Sequence, residues 1–255
     1  IRQMQQEGGV VFATNGASKW LRQHGVIPDW QVIADAKEET ATLVDPEAKG
    51  HLFSSAVNPA TMTAVPAPIV WHRGMEGVAE LFPEERKTQE YALIGGTSAG
   101  THAMCIAYVM GYRELHCFGF DSSHRDGKGH AYAQPMNDTI ETCNVTWAGT
   151  SYQASIAMKA QAETFMITAR AMEDLGVTIE LHGDGLLPAM WNTPSDNLSE
   201  CDKYRLMWAF DAYRKVSPSE DLLPCILKVL QPDSLMLDFG CGTGRASLEM
   251  AKKGI

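Results

Sequence analysis

Over residues 8–121 the chain alternates short apolar, β-rich runs with stretches of helical periodicity, and few folds accept that alternation. Val10–Thr14, Trp30–Ala34, Leu52–Val57, Ile69–His72 and Leu115–Phe120 each read as a strand bounded by turn formers. A helix fits from Ser18, a residue that can cap it, to Gly25. A second fits Thr97–Gly111, where Ala99, Ala103, Ile106, Ala107 and Met110 recur at helical spacing. The pattern predicts an α/β fold: a Rossmann-like, mostly parallel sheet with helices on both faces. Several runs are apolar throughout, as a sheet covered on both sides requires.

Past residue 121 the pattern changes. Ser122–Asp138 mixes Gly, His, Asp and Pro without apolar periodicity, and so long an irregular stretch reads as a functional loop. Thr142–Trp147 fits an edge strand, Ser155–Leu175 a long helix closed by Gly176, and Val177–Leu181 a further strand. The polar residues 192–203 read as a linker between a first domain, 1–191, and a second that starts at 204. There Tyr204–Tyr213 and Asp221–Leu230 fit helices and Leu235–Asp238 a strand, the beginning of a second, truncated α/β unit.

Composition narrows the function classes. With 21 Lys+Arg against 31 Asp+Glu, the net charge of -10 argues against a nucleic-acid partner, since phosphate binding needs concentrated positive charge. No apolar stretch reaches the roughly 20 residues that span a bilayer. The opening Ile1-Arg2-Gln3-Met4-Gln5-Gln6 has no secretory h-region, and without an initiator Met it reads as a trimmed end. Six cysteines, none in a CxxC pair, read as reduced thiols of a cytoplasmic protein.

Ligands of an open parallel sheet bind where loops leave the carboxyl ends of the strands. Asn15, Asp35, Asn58, Gly95–Ser98 and Asp121 all occupy such places. Asn15-Gly16-Ala17-Ser18 and Gly95-Gly96-Thr97-Ser98-Ala99-Gly100 each set a tight turn at a helix start, where N–H groups and the helix dipole favour an anion. Such turns also serve merely as compact connections, but two of them with three polar strand ends point to a nucleotide or phosphate site. Neither loop matches Walker A or GxGxxG. The loop after Asp121 carries His124, Asp126, His130 and Tyr132 within nine residues. A histidine there suits general base work, and Asp121 with Asp126 suits Mg²⁺; the plain alternative is a solvated loop. His116, inside an apolar strand, reads as a core residue, and His102, one turn into its helix, fits either role.

The sharpest spacing is Leu235-Met236-Leu237-Asp238-Phe239-Gly240-Cys241-Gly242-Thr243-Gly244-Arg245, a strand, an acidic turn and a glycine loop before a helix at Ala246–Lys253. This D-x-G-C-G-T-G run resembles the signature of Rossmann-like S-adenosylmethionine-dependent methyltransferases. The resemblance implies cofactor contacts at Asp238, Gly240, Gly242 and Gly244. Such a domain needs on the order of 150 residues, so the chain reads as a piece of a longer protein.

Residues 8–190 also carry Ala13-Thr14-Asn15-Gly16-Ala17-Ser18, Gly25-Val26-Ile27-Pro28-Asp29 leading to Asp35, Gly95-Gly96-Thr97-Ser98-Ala99, Gly119-Phe120-Asp121 and His130-Ala131-Tyr132. In this order they resemble the family named for the 6-hydroxymethylpterin diphosphokinase MptE, which includes the Maf flagellin glycosyltransferases. The opening Asn-Gly-x-Ser is also similar to bacterial sialyltransferases that use a CMP-sugar. The resemblance implies a Rossmann-like domain that binds an activated nucleotide or nucleotide-sugar donor and transfers a pyrophosphoryl group or a sugar to a small-molecule or glycan acceptor; Asp121 is the place for a possible Mg²⁺. It implies nucleotide contacts at Asn15, Gly16 and Ser18, at Asp35 and Asn58, and at Gly96, Thr97 and Ser98, with Asp121 and His130 nearest the chemistry. Many relatives read Gly-Pro-Ser-Leu where this chain has Gly16-Ala17-Ser18-Lys19-Trp20, which is expected to alter the pocket. The expected function is therefore a donor-dependent transferase fused to a methyltransferase. The alternatives are a methyltransferase whose first domain only binds nucleotide or substrate, and a nucleotide-sensing module without chemistry.

Overall fold

The computed structural model describes residues 1–74, 92–93, 95–129 and 141–193. The chain divides into two compact units, Ile1–Asn192 and Thr193–Ile255, and every strand and helix of the described residues belongs to the first. After a short helix α1 (Arg2–Gln6), strands β1 (Phe12–Thr14), β2 (Trp30–Ile33), β3 (His51–Ser54), β4 (Ile69–Arg73) and β5 (Ala92–Leu93) lie side by side in chain order. All four pairings are parallel, with Ala13 opposite Gln31, Val32 opposite Leu52 and Phe53 opposite Val70.

In β2 and β3 successive buried residues point to opposite faces of the sheet. Val32, Leu52 and Trp71 pack against Ala103 and Ile106 of helix α4 (Ala99–Val109). Ile33 and Phe53 turn the other way, onto Val44, Val57 and Val65. Those three flank the 3₁₀ helix Glu38–Leu43 and helix α3 (Pro59–Met62). Both Ile33 and Phe53 are fully buried, a gain of about 1.5–3 kcal/mol each. Helix α2 (Ala17–Gln23) lies against β1 through Leu21 and Ala13. The expected α/β class, a parallel sheet clothed on both faces, is the one the chain adopts.

A second core lies on the far side of α4. Strands β6 (Glu114–Phe118) and β9 (Thr178–His182) pair in parallel, covered by helices α5 (Ile156–Asp174) and α6 (Leu186–Asn192). Met104 of α4 joins Cys117, Ile179, Leu181, Phe165, Ala169 and Leu187 there, so α4 is shared by both cores. Burial pushes the Cys117 thiol up to about 12, which makes it an inert core group. Between α4 and α5, β7 (Thr142–Trp147) and β8 (Thr150–Ser155) form an antiparallel hairpin. Its turn, Ala148-Gly149, has φ of 46° and 81°, the two positive values that a type I′ turn requires. Among the described residues no helix is long and apolar enough to cross a membrane.

Three local readings change. The helix expected from Ser18 begins at Ala17 with Gly16 at its N-cap, because the Ser18 hydroxyl is spent elsewhere. His116 leaves the core: it shares a face with Glu114 and Phe118, and Leu115 and Cys117 take the inward positions. Strand β8 has no counterpart in the apolar pattern, since Thr150-Ser151-Tyr152-Gln153 is polar and is held by its hairpin partner.

Candidate functional site at the carboxyl edge of the sheet

Because β1 to β5 are parallel, the loops after them leave from one edge. At the end of β1, Asn15 takes φ of 48°, a left-handed value that Asn tolerates. Its N–H donates to the Val32 carbonyl at 3.0 Å, and its own carbonyl accepts from Gln31 Nε2 at 2.9 Å. Its side-chain Oδ1 is buried and has no partner among the described residues. The turn is fixed from below by a polar cluster around the fully buried Asp45. Ser18 Oγ donates to Asp45 Oδ2 at 3.0 Å, Arg22 Nε to Oδ1 at 3.1 Å, and the Asp45 N–H to Gln31 Oε1 at 2.8 Å. Ser18 is itself fully buried. Lys19 also turns to the scaffold, its Nζ donating to the Thr42 carbonyl at 2.6 Å, and Trp20 packs on the His24 ring.

The loops after β2 and β3 use their polar side chains locally. Asp35 is exposed and accepts from the Lys37 N–H at 3.0 Å, and Asn58 caps α3 by accepting from the Ala60 N–H at 2.9 Å. At the end of β4 stands Arg73, whose Nε is buried without a partner among the described residues. A buried guanidinium N–H lacking an acceptor is costly, and an anion is its natural complement. The sequence reading did not single out Arg73; the available signal was a charged residue closing an apolar strand.

The glycine-rich turn before α4 is tightly built. Ser98 caps the helix, its Oγ accepting from the Thr101 N–H at 3.1 Å, and Thr97 Oγ1 lies 3.0 Å from Thr164 Oγ1 of α5. Gly96 has φ of +68°, and a Cβ on Gly95 would stand 2.6 Å from the His102 ring. His102 is buried, places Nδ1 2.9 Å from the Ser98 carbonyl, and packs on Trp71 with ring centroids 4.9 Å apart. Burial holds its pKa below the ordinary imidazole value despite the Ser98 hydrogen bond, and the charge of Arg73 adds to the depression. Its ring is therefore neutral near pH 7, with Nδ1 as the donor and Nε2 as an acceptor.

The third part follows β6. The Phe120 ring fills the space where a Gly100 side chain would stand, which sets Gly119-Phe120-Asp121 against the first turn of α4. Burial raises the Asp121 pKa from its ordinary value, and the charge of Asp184 raises it further, against the opposing pull of Arg125 and the Gly185 N–H. Asp184 pairs with Arg125. Glycines are required beside Asp121: at Gly183 a Cβ would lie 2.8 Å from its Oδ1, and at Gly185 2.6 Å from its Cβ. The neighbouring carboxylate is thus Asp184, on the loop after β9, whereas Asp126 sits exposed in the Arg125–Lys128 turn with φ of 51°. The half-buried Asp121 and the exposed Asp184 bring two carboxylates together, which fits the charge of a divalent cation. His124 anchors its loop through its N–H to the Gln153 carbonyl at 2.6 Å. His130, Tyr132 and the glycine-loop residues Asp238, Gly240, Gly242 and Gly244 lie outside the described residues.

Comparison with known proteins agrees with this architecture. The structure of a MAf glycosyltransferase from Magnetospirillum magneticum AMB-1 is similar, with a TM-score of 0.51 at 17% identity. The match covers 87% of this chain and 38% of that one, so the chain spans well under half the length of its structural relative. No curated protein matches the chain. From the N-terminal helix to the loop after Asp121, residues 1–127 match the family model described as 6-hydroxymethylpterin diphosphokinase MptE-like.

Proposed function

We propose that this chain carries the donor site of a transferase, one that binds a nucleotide-activated donor at the carboxyl edge of the sheet and passes its sugar or pyrophosphoryl group to an acceptor. The MptE-like family match supports transfer chemistry, and the likeness to a glycosyltransferase supports the fold that would carry it. The observation that carries the reading is Arg73, a cation whose buried Nε lacks an acceptor among the described residues, placed beside His102 in the first turn of α4. An anion there meets a guanidinium fork, the N–H groups of the helix start and its dipole. Asn15 adds a buried polar group for base or sugar, and Asp121 with Asp184 would hold Mg²⁺, which offsets phosphate charge when bound. His130 is the candidate general base on sequence grounds.

Thermal-shift and calorimetric titration with CMP, CDP, UDP, GDP and ATP, with and without Mg²⁺, tests the reading. At least one nucleotide should bind, and Arg73→Ala should weaken it by ~10–100-fold. Arg73→Lys should recover only part, because the ammonium lacks the fork. Binding that is absent, or indifferent to Arg73, overturns the proposal. A methyl-transfer activity would rest on the Asp238–Gly244 signature, and S-adenosylmethionine binding is its separate test.

A further inference from the structure

The open face of β6 and β9 carries a side-chain cluster that nucleotide transfer does not use. The register sets Glu114 beside Thr178, His116 beside Glu180 and Phe118 beside His182, all on one face, with Cys117, Ile179 and Leu181 in the core on the other. His116 Nδ1 lies 3.0 Å from His182 Nε2 and 3.1 Å from Glu180 Oε2, and His182 Nε2 lies 3.7 Å from that same oxygen. Donors about 2.1 Å from a tetrahedral or octahedral cation stand about 3.0–3.4 Å from one another, so the triangle already has the size of a coordination shell. A proton on Nδ1 can serve one of its two neighbours; a divalent cation serves all three donors together.

The surroundings orient the donors. His116 Nε2 is 3.2 Å from Glu114 Oε1, a carboxylate that accepts the second ring N–H and leaves Nδ1 free to ligate. The Phe118 ring lies flat on His182, with centroids 4.2 Å apart and planes 7° from parallel, which fixes the His182 ring. Glu180 is 58% exposed and His182 37%, so a further coordination position opens to water. Two imidazoles and one carboxylate form a borderline-soft set suited to zinc rather than to Mg²⁺. We propose that His116, Glu180 and His182 form a Zn²⁺ site that bridges β6 and β9, with Glu114 as its positioning carboxylate. Three protein ligands and an open position give the ligand count of a zinc that works on a bound water, rather than of a closed structural site.

The test uses the full 255-residue chain, stripped of metal with a chelator and titrated with Zn²⁺ against a chromophoric competitor. Co²⁺ absorption in the visible range reports the coordination. One Zn²⁺ per chain should bind, and His116→Asn, His182→Asn and Glu180→Gln should each weaken it by about tenfold or more. Glu114→Gln should weaken it by ~10-fold while leaving the Co²⁺ spectrum of the same ligand set. Circular dichroism checks folding; should a histidine variant misfold, the exposed Glu180→Gln decides. Lack of stoichiometric binding at about 100 µM Zn²⁺, or binding and Co²⁺ spectra unmoved by Glu180→Gln and the histidine variants, overturns the site.

Discussion

His102 gives the most direct link between one residue's surroundings and a measurable property. Its folded pKa is depressed by burial, so between that value and the ordinary 6.5 the unfolded chain binds the proton more readily. Its contribution to stability is complete above about pH 6.5 and falls away as the pH drops toward the folded value. The urea midpoint should therefore fall between pH 7.5 and 5.5, and His102→Gln should flatten that fall. An unchanged slope in the variant would assign the pH dependence to other groups. Asp121 runs in the opposite sense: its raised pKa means that ionisation costs stability as the pH rises through the carboxylate range. Ser18 illustrates a different lesson at this scale. A serine in a turn before a helix looks like a cap or phosphate contact, yet its hydroxyl is committed to a buried carboxylate 27 positions away in sequence.

At the scale of elements, the loops after β6 and β9 are built around one another. Gly183 has φ of +133°, and the Cβ of any other residue would press on Asp121. Gly183→Ala should cost about 1–2 kcal/mol from the backbone alone, seen as a melting temperature lower by roughly 2–8 °C. The same variant should loosen the grip on any cation at Asp121, read as a weaker Mg²⁺ effect on nucleotide binding. Equal stability and equal Mg²⁺ response would mean that the two loops adjust independently. Helix α4 shows why its sequence is small and mixed: Gly100 admits the Phe120 ring, Ala103 and Ile106 face one core, and Met104 faces the other.

For the molecule as a whole, residues 1–192 contain both cores and all the strand pairings of the described residues. A fragment ending at Asn192 should therefore fold by itself and melt in one cooperative transition with near-native secondary structure. A fragment that stays unfolded would mean that the first unit depends on the residues after it. Much of this architecture is legible in the chain itself, because apolar runs such as Trp30–Ile33 and the Ala99–Val109 spacing carry their period there. The pair Asp121 and Asp184 is not legible, since two loops 63 residues apart meet only through the parallel pairing of β6 and β9. Arg73, Gln31 and Asp45 escape for a related reason: a polar residue in a strand or loop looks solvated until its neighbours are known.

Periodicity and turn chemistry are local, and by themselves they determined the fold class, the order of most strands and helices, and the edge from which the polar loops leave. The tertiary structure alone decided which polar atoms are consumed by the scaffold and which remain for a ligand. That difference is set by burial and by partners distant in sequence: Ser18 is satisfied by Asp45, His116 faces Glu180 and His182, and Arg73 keeps a buried N–H without an acceptor among the described residues.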